Sequence, residues 1–155
     1  MNFSFIIELV SKGKRTTLYT IRISNETKTE FEKFIDNKDV KNHRNFGSLV
    51  QRIKDVEERH GFRDYWFRYE SDPVYALFWE KLRLYCLRWS QTIIILGNGG
   101  IKETRTYQEN PHLNDCVEKL LYVSERLEKR IREREITINY DESLFEGDLN
   151  FNIGG

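Results

Sequence analysis

Two β-rich runs open the chain. Phe3 to Val10 and Thr16 to Ser24 flank Ser11-Lys12-Gly13-Lys14-Arg15, a five-residue connection with a central glycine, and together they predict a hairpin. In the second run Tyr19, Ile21 and Ile23 share one side and are expected to face the core. The period then changes. Thr27-Lys28-Thr29-Glu30 has the form of a capping box and predicts a short helix with Phe31, Phe34 and Ile35 on its apolar side, ending near Asn37. From Asp36 to Arg44 no apolar period is visible, so this segment reads as a polar connection. Phe46, Leu49, Val50, Ile53 and Val56 form the stripe of a second helix that runs to His60, with Gly61 as its stop.

The second half begins with an aromatic-rich strand candidate, Asp64 to Glu70, and a stretch from Pro73 to Lys81 that reads as a helical turn or an irregular lead. Leu82 to Trp89 alternates Leu82, Leu84 and Cys86 with Arg83, Tyr85 and Leu87, the period of a strand. Thr92 to Leu96 is a continuous β-branched and apolar run, which predicts a central strand covered on both faces. Only Ser90 and Gln91 separate the two, so a tight hairpin is expected. Asn110-Pro111 pairs a capping residue with proline at the first helical position. Behind it, Leu113, Val117, Leu120, Leu121, Leu127 and Ile131 predict the longest helix, to about Glu133. Ile136 to Tyr140 alternates as a last strand.

The order is hairpin, two helices, three strands, long helix, strand. It predicts an α+β fold, a curved and mostly antiparallel sheet with helices packed on one side. Residues 1–140 read as a single domain and residues 141–155 as an acidic C-terminal tail.

With 155 residues, 39% hydrophobic and 14% aromatic, the chain is long enough to bury a core without staples. Cys86 and Cys116 fall in a predicted strand and a predicted helix, lack metal-ligand spacing, and are expected to be buried thiols. No metal or cofactor is implied. The first residues lack the cationic lead and long apolar core of a signal peptide, and no 18-residue apolar run occurs. A soluble, cytoplasmic protein without a membrane partner is therefore expected.

The 25 basic and 25 acidic residues cancel, which argues against an indiscriminate polyanion binder. Their distribution says more. Five of the acidic residues and none of the basic ones follow Arg134, leaving 25 basic against 20 acidic side chains before it. A basic body with an acidic end suits an RNA or DNA partner, and predicts that the acidic end lies over the basic surface.

The chemistry concentrates after the best strand. Gly97-Asn98-Gly99-Gly100 is followed by Lys102, Arg105 and Tyr107, with Arg83 on the neighbouring strand. The glycines either admit a phosphate close to backbone N–H groups or form a bulged strand end, the commoner use. Lys12, Lys14 and Arg15 of the first turn and Lys54 on the second helix are candidate RNA-backbone contacts, although exposed turns and helix faces carry such residues routinely. Trp66 and Tyr69 either stack on bases or pack against helices; packing is the more frequent role of large aromatics.

In this order of elements the chain resembles the RelE/ParE superfamily of bacterial toxins, including HigB-like members. The resemblance runs from about Leu18 to Ile131 and rests on TLYTIRIS, TEFEKFI, FGSLVQRIKDVEE, LRLYCLRW, TIIIL and IKETRTY. It implies a toxin of a toxin–antitoxin pair, an endoribonuclease cleaving mRNA by 2′-hydroxyl attack. Arg83, Lys102, Arg105 and Tyr107 would be its catalytic set, and its partners would be RNA, including ribosome-bound mRNA, and an antitoxin protein. Such chemistry needs cations against the developing phosphoryl charge and proton carriers. A lysine or tyrosine carries a proton there only if its pKa is drawn toward neutrality; Glu70, His43, His60 and His112 are alternative carriers. Because ParE-like relatives bind gyrase without nuclease chemistry, the resemblance also admits a non-catalytic partner-binding protein: a gyrase inhibitor, or a phage or host-defence accessory.

Overall fold

A strand that is apolar at every position needs cover on both faces, and this requirement organises the molecule. In the computed structural model, which describes residues 1–153, the strands are β1 (Phe5–Lys12), β2 (Thr17–Ile23), β3 (Phe67–Ser71), β4 (Val74–Trp79), β5 (Leu82–Arg88), β6 (Ile93–Ile101), β7 (Ile136–Asn139), β8 (Leu144–Gly147) and β9 (Asn150–Phe151). The helices are α1 (Glu30–Asp36), α2 (Lys38–Lys41), α3 (Phe46–Asp55), continued by a π-helical turn to His60, and α4 (Pro111–Arg132). Seven strands form one sheet in the order β3-β4-β5-β6-β2-β1-β9, antiparallel except for the β2–β6 pair; β7 and β8 form a separate ribbon.

The α+β class and the mostly antiparallel sheet are as expected. The helix layer is not confined to one side. Tyr19, Ile21, Tyr85, Leu87, Ile93 and Ile95 pack with Leu113, Val117, Leu120 and Leu127 of α4 on one face. Leu18, Leu84, Cys86, Ile94 and Leu96 pack with Phe34, Leu49, Ile53 and Val56 of α1, α3 and the turn after it on the other. The reason is in the strands: Leu82 to Leu87 of β5 and Ile93 to Leu96 of β6 are all buried, so each face needs its own layer. Both cysteines are buried and unpaired, Cys86 on the α3 face and Cys116 on the α4 face.

Local signals decide most boundaries. Asn110 caps α4 by accepting from the Leu113 N–H, with Pro111 at the first position. The capping box of α1 lies two residues later than the sequence suggested, on Thr29 and Glu32. Asn37 then caps the short α2 inside the expected polar connection.

Val74–Trp79, expected to be a helical turn or irregular, is a full strand between β3 and β5. Ala76, Leu77 and Glu80 suit helices, but pairing along both edges of β4 outweighs that weak preference. The chain thus has four strands in this region where three were expected. The glycine run also lies inside β6, which reaches Ile101, with one extra residue opposite Tyr85 where Leu84 pairs Gly99 and Cys86 pairs Leu96. The bulged reading of the glycines describes their role.

The expected acidic tail is folded through residue 153. Phe145 and Phe151 belong to the α4-side core, β9 pairs with β1, and the Tyr19 hydroxyl accepts from the Phe145 N–H. Its apolar residues at 144, 145, 149 and 151 supply this packing, which net charge alone conceals.

Candidate functional site

Arg83 is set by its strand. It opposes Phe78 of β4 and Gly100 of β6, and as an odd member of β5 it points to the α4 face with Tyr85 and Leu87 while Leu84 and Cys86 point to α3. Only 7% of it is exposed. Nη1 donates to the carbonyls of Glu80 and Leu82, and the guanidinium carbon lies 5.3 Å from the Phe78 ring centroid. Nε is buried without any partner, and Nη2 makes no hydrogen bond among the described residues. The Nε–Nη2 edge is therefore the unpartnered one, with Nε shut off from solvent; in arginines generally this is the edge that pairs an oxyanion through two parallel N–H donors. The Tyr85 hydroxyl, two residues along on the same face, is likewise buried and unpartnered. Two orphaned donors side by side in a native fold call for an explanation.

Charged groups gather around this edge. Arg68 opposes Ala76 on β3 and thus shares the α4 face; Glu70 follows it. Burial raises the Glu70 carboxyl above the usual carboxylate range, against the opposing pull of Arg68, Lys102 and Arg83. Burial, reinforced by Arg68, lowers Arg83. Burial raises Tyr107 and Tyr85, and the negative charge of Glu70 adds to both. Arg68, Lys102, Arg83, Tyr85 and Tyr107 thus all lie within electrostatic reach of Glu70.

Of the sequence candidates, Arg83, Lys102 and Tyr107 come together, in different settings. The backbone N–H of Lys102 donates to the Lys81 carbonyl and its Nζ to the Arg105 carbonyl at 2.8 Å, which holds the ammonium at the sheet's end. Tyr107 is buried, its ring edge-on to Tyr85 with centroids 6.2 Å apart. Its pKa moves away from neutrality, opposite to what a proton acceptor needs. Arg105 is exposed and adjoins the cluster through its backbone, its N–H donating to Glu109.

The RNA-backbone candidates lie elsewhere. Lys12 at the end of β1 and Lys14 and Arg15 in the turn before β2 lie beside the start of β6, whereas Lys102 follows its far end. Lys12 pairs with Glu142, and the Arg15 N–H donates to the Glu57 carbonyl. Lys54 is exposed on α3, the layer on the opposite face. A sequence has no means of showing that positions near the two ends of one strand are a strand length apart. Among the described residues the acidic end pairs with the body through Glu142 on Lys12 and Glu135 on Arg130, and neither pair involves Lys102.

The histidines are engaged locally: His112 Nε2 with the Gly99 carbonyl at 2.8 Å, His43 Nδ1 with the Asn45 N–H, and His60 against Trp66. Arg68 and the central position of Glu70 escaped the sequence. Their signal, alternation through Phe67-Arg68-Tyr69-Glu70, was present but had no partner strand to fix its face.

A cavity of about 360 Å³ lies against the C-terminal half of α4, but its charged lining is Asp72, Glu125 and Glu128 with Arg88 alone opposing, a poor setting for a phosphate. Among the described residues no group of three or more His, Cys, Asp and Glu side chains is placed to hold a metal ion, and no helix is long and apolar enough to cross a membrane. No protein-family model, curated protein or solved structure matches the chain.

Proposed function

We propose that this α+β domain binds a phosphodiester of single-stranded RNA at the Arg83 edge and cleaves it, as a RelE-like endoribonuclease toxin would. The observation that carries this reading is the buried Arg83 guanidinium with its Nε unpartnered, beside the cations Lys102 and Arg68 and a carboxyl raised by burial. In the reaction, Arg83 holds two non-bridging oxygens. Glu70, in its ionised form, takes the proton of the 2′-hydroxyl as O2′ bonds to phosphorus. The P–O5′ bond breaks, and the Lys102 ammonium gives a proton to the departing 5′-oxygen. Products are a 2′,3′-cyclic phosphate and a 5′-hydroxyl. Arg83 and Arg68 offset the charge that builds on the phosphoryl group, strongly so because Arg83 is shielded from water. An antitoxin partner follows from the same reading.

The test is incubation of the purified protein with single-stranded RNA and with translating mRNA, followed by end-group analysis. Cyclic phosphate ends that vanish with Lys102→Ala support the reading. Absence of cleavage on both substrates, or full activity of the variant, rejects it.

One observation favours a second reading. Tyr107 and Arg83 are 6% and 7% exposed, and Tyr107 is shifted away from neutrality, so two of the four groups that the resemblance assigns to chemistry reach a ligand only if the surface above them opens. A non-catalytic gyrase inhibitor or a phage or host-defence accessory on this fold would then bind its partner without cleaving RNA.

A further inference from the structure

On the opposite side of β4 from Arg83, a second arginine is stacked in an unusual way. Arg52 of α3 places its guanidinium carbon 4.3 Å from the Trp79 ring centroid and 5.3 Å from that of Trp66. Nη1 donates to the Phe78 carbonyl. Arg52 forms no ion pair among the described residues, and the neighbouring Asp55 carboxylate accepts from the Gln51 amide at 3.0 Å. Trp66, Trp79 and Arg52, with Ser48, Gln51 and Asp55, line an open cavity of about 240 Å³.

Both indoles pack on the α3-side core yet are only partly buried; they bracket a cation, and the rim carries a hydroxyl, an amide and a carboxylate. Planar surfaces of indole and guanidinium stack with any nucleobase, and the rim groups supply donors and acceptors for a base edge. Phe78 joins this cleft to the phosphate edge. Its ring centroid lies 5.7 Å from the Arg52 guanidinium and 5.3 Å from that of Arg83, so the two guanidinium carbons are at most 11 Å apart, the sum of those distances.

We infer that the Trp66–Arg52–Trp79 cleft is a stacking subsite for an unpaired base of the RNA strand whose phosphodiester is held at Arg83. This rests on the nuclease reading and adds to it a requirement for single-stranded substrate: the strand passes over the β4–β5 turn, with its phosphate on one sheet face and a neighbouring base turned into the cleft on the other. A paired base cannot enter without leaving its stack.

The probe is a fluorescently labelled single-stranded RNA with every 2′-hydroxyl methylated to block cleavage, together with variants carrying an abasic residue at each position in turn. Trp79→Ala should weaken binding on the order of tenfold, and Trp79→Phe less. One abasic position should weaken wild-type binding to a similar degree and have no further effect on Trp79→Ala, because the base and the indole act as one interaction. The duplex of the same sequence should bind more weakly. Abasic penalties that are equal in wild type and Trp79→Ala at every position overturn the subsite. If Lys102→Ala still weakens binding in that case, the phosphate site survives and only the base subsite falls. If the wild type binds no single strand, both readings fail. The abasic comparison holds if Trp79→Ala lowers stability, since it is made within each folded protein.

Discussion

The backbones of Gly99 and Arg83 touch: a methyl group on Gly99 would lie 1.9 Å from the Arg83 carbonyl oxygen. No rotamer change relieves that clash, because both groups are main chain. The contact sits next to the bulge of β6 and fixes the height of Arg83 on its strand. Gly99→Ala should therefore cost on the order of 3 kcal/mol and pull β5 and β6 apart. Gly47, with nothing within 4 Å of its added methyl and a place in α3, is the control. Gly47→Ala should be neutral or stabilise by up to about 1 kcal/mol. Chemical denaturation of both variants checks the pair.

Lys102 and Arg105 are three residues apart and equally basic, yet the structure separates their roles. Lys102 lies within reach of Glu70, whereas Arg105 offers the site a carbonyl. If the nuclease reading is right, Lys102→Ala should lower cleavage by about 100-fold or more and Arg105→Ala only severalfold. Arg105 is exposed and Lys102 partly so, so the Tm should change little in each. Equal losses would mean that the arginine side chain also reaches the substrate.

Where the local pattern was strong, the sequence was enough. The hairpin of β1 and β2, the Asn110-Pro111 start of α4 and the two faces of β5 follow from alternation, capping and helical spacing, all properties of near neighbours. Arg83 and Tyr107 stood out as candidates because they flank the best strand. What failed depended on distant partners. Val74–Trp79 becomes a strand through pairing with β3 and β5. The one-sided helix layer was ruled out by the lower half of β2 and by β5 and β6 being buried on both faces. Glu70 gained its setting only once β3 was placed at the sheet edge with its side chain toward Arg83.

Glu70 gives a pH-dependent test. Its folded pKa is raised above the unfolded value, ordinarily near 4.5, by burial. Such a group favours the folded state fully at pH below the unfolded value, and that contribution is lost as pH rises through the folded pKa. Ionised Glu70 therefore opposes folding at neutral pH. Glu70→Gln should raise the Tm relative to wild type at pH 7, and the advantage should shrink and vanish as the pH falls below about 4. In an RNA-cleavage assay the same variant should lose the rising acid limb of the pH–rate profile together with most of its activity. A Tm difference that is constant between pH 3 and pH 8 would show that burial does not perturb this carboxyl.

The C-terminal segment separates a structural strap from an inhibitory tail. Its charge predicts a cover that can be removed to expose a basic surface. Its packing predicts otherwise: Ile136, Phe145 and Phe151 are 1%, 7% and 1% exposed, Phe151 stacks on Phe5 with centroids 4.6 Å apart, and the Arg130 guanidinium lies 4.0 Å from the Phe151 ring centroid. Phe145→Ala removes a ring from the core and should cost about 3–5 kcal/mol. Deleting everything after Arg134 strips three such anchors and one sheet-edge strand, a loss comparable with the whole stability of a domain this size. The truncated chain should therefore be unfolded or aggregated by circular dichroism. A truncated chain that stays folded and binds nucleic acid more tightly, with a steeper salt dependence, would restore the tail as a detachable cover. The ion pair between Lys12 and Glu142 allows a milder version of the same test. Glu142→Gln should leave the Tm within about 0.5 kcal/mol equivalent of wild type and leave RNA cleavage unchanged, because that pair lies at the end of the sheet away from Lys102.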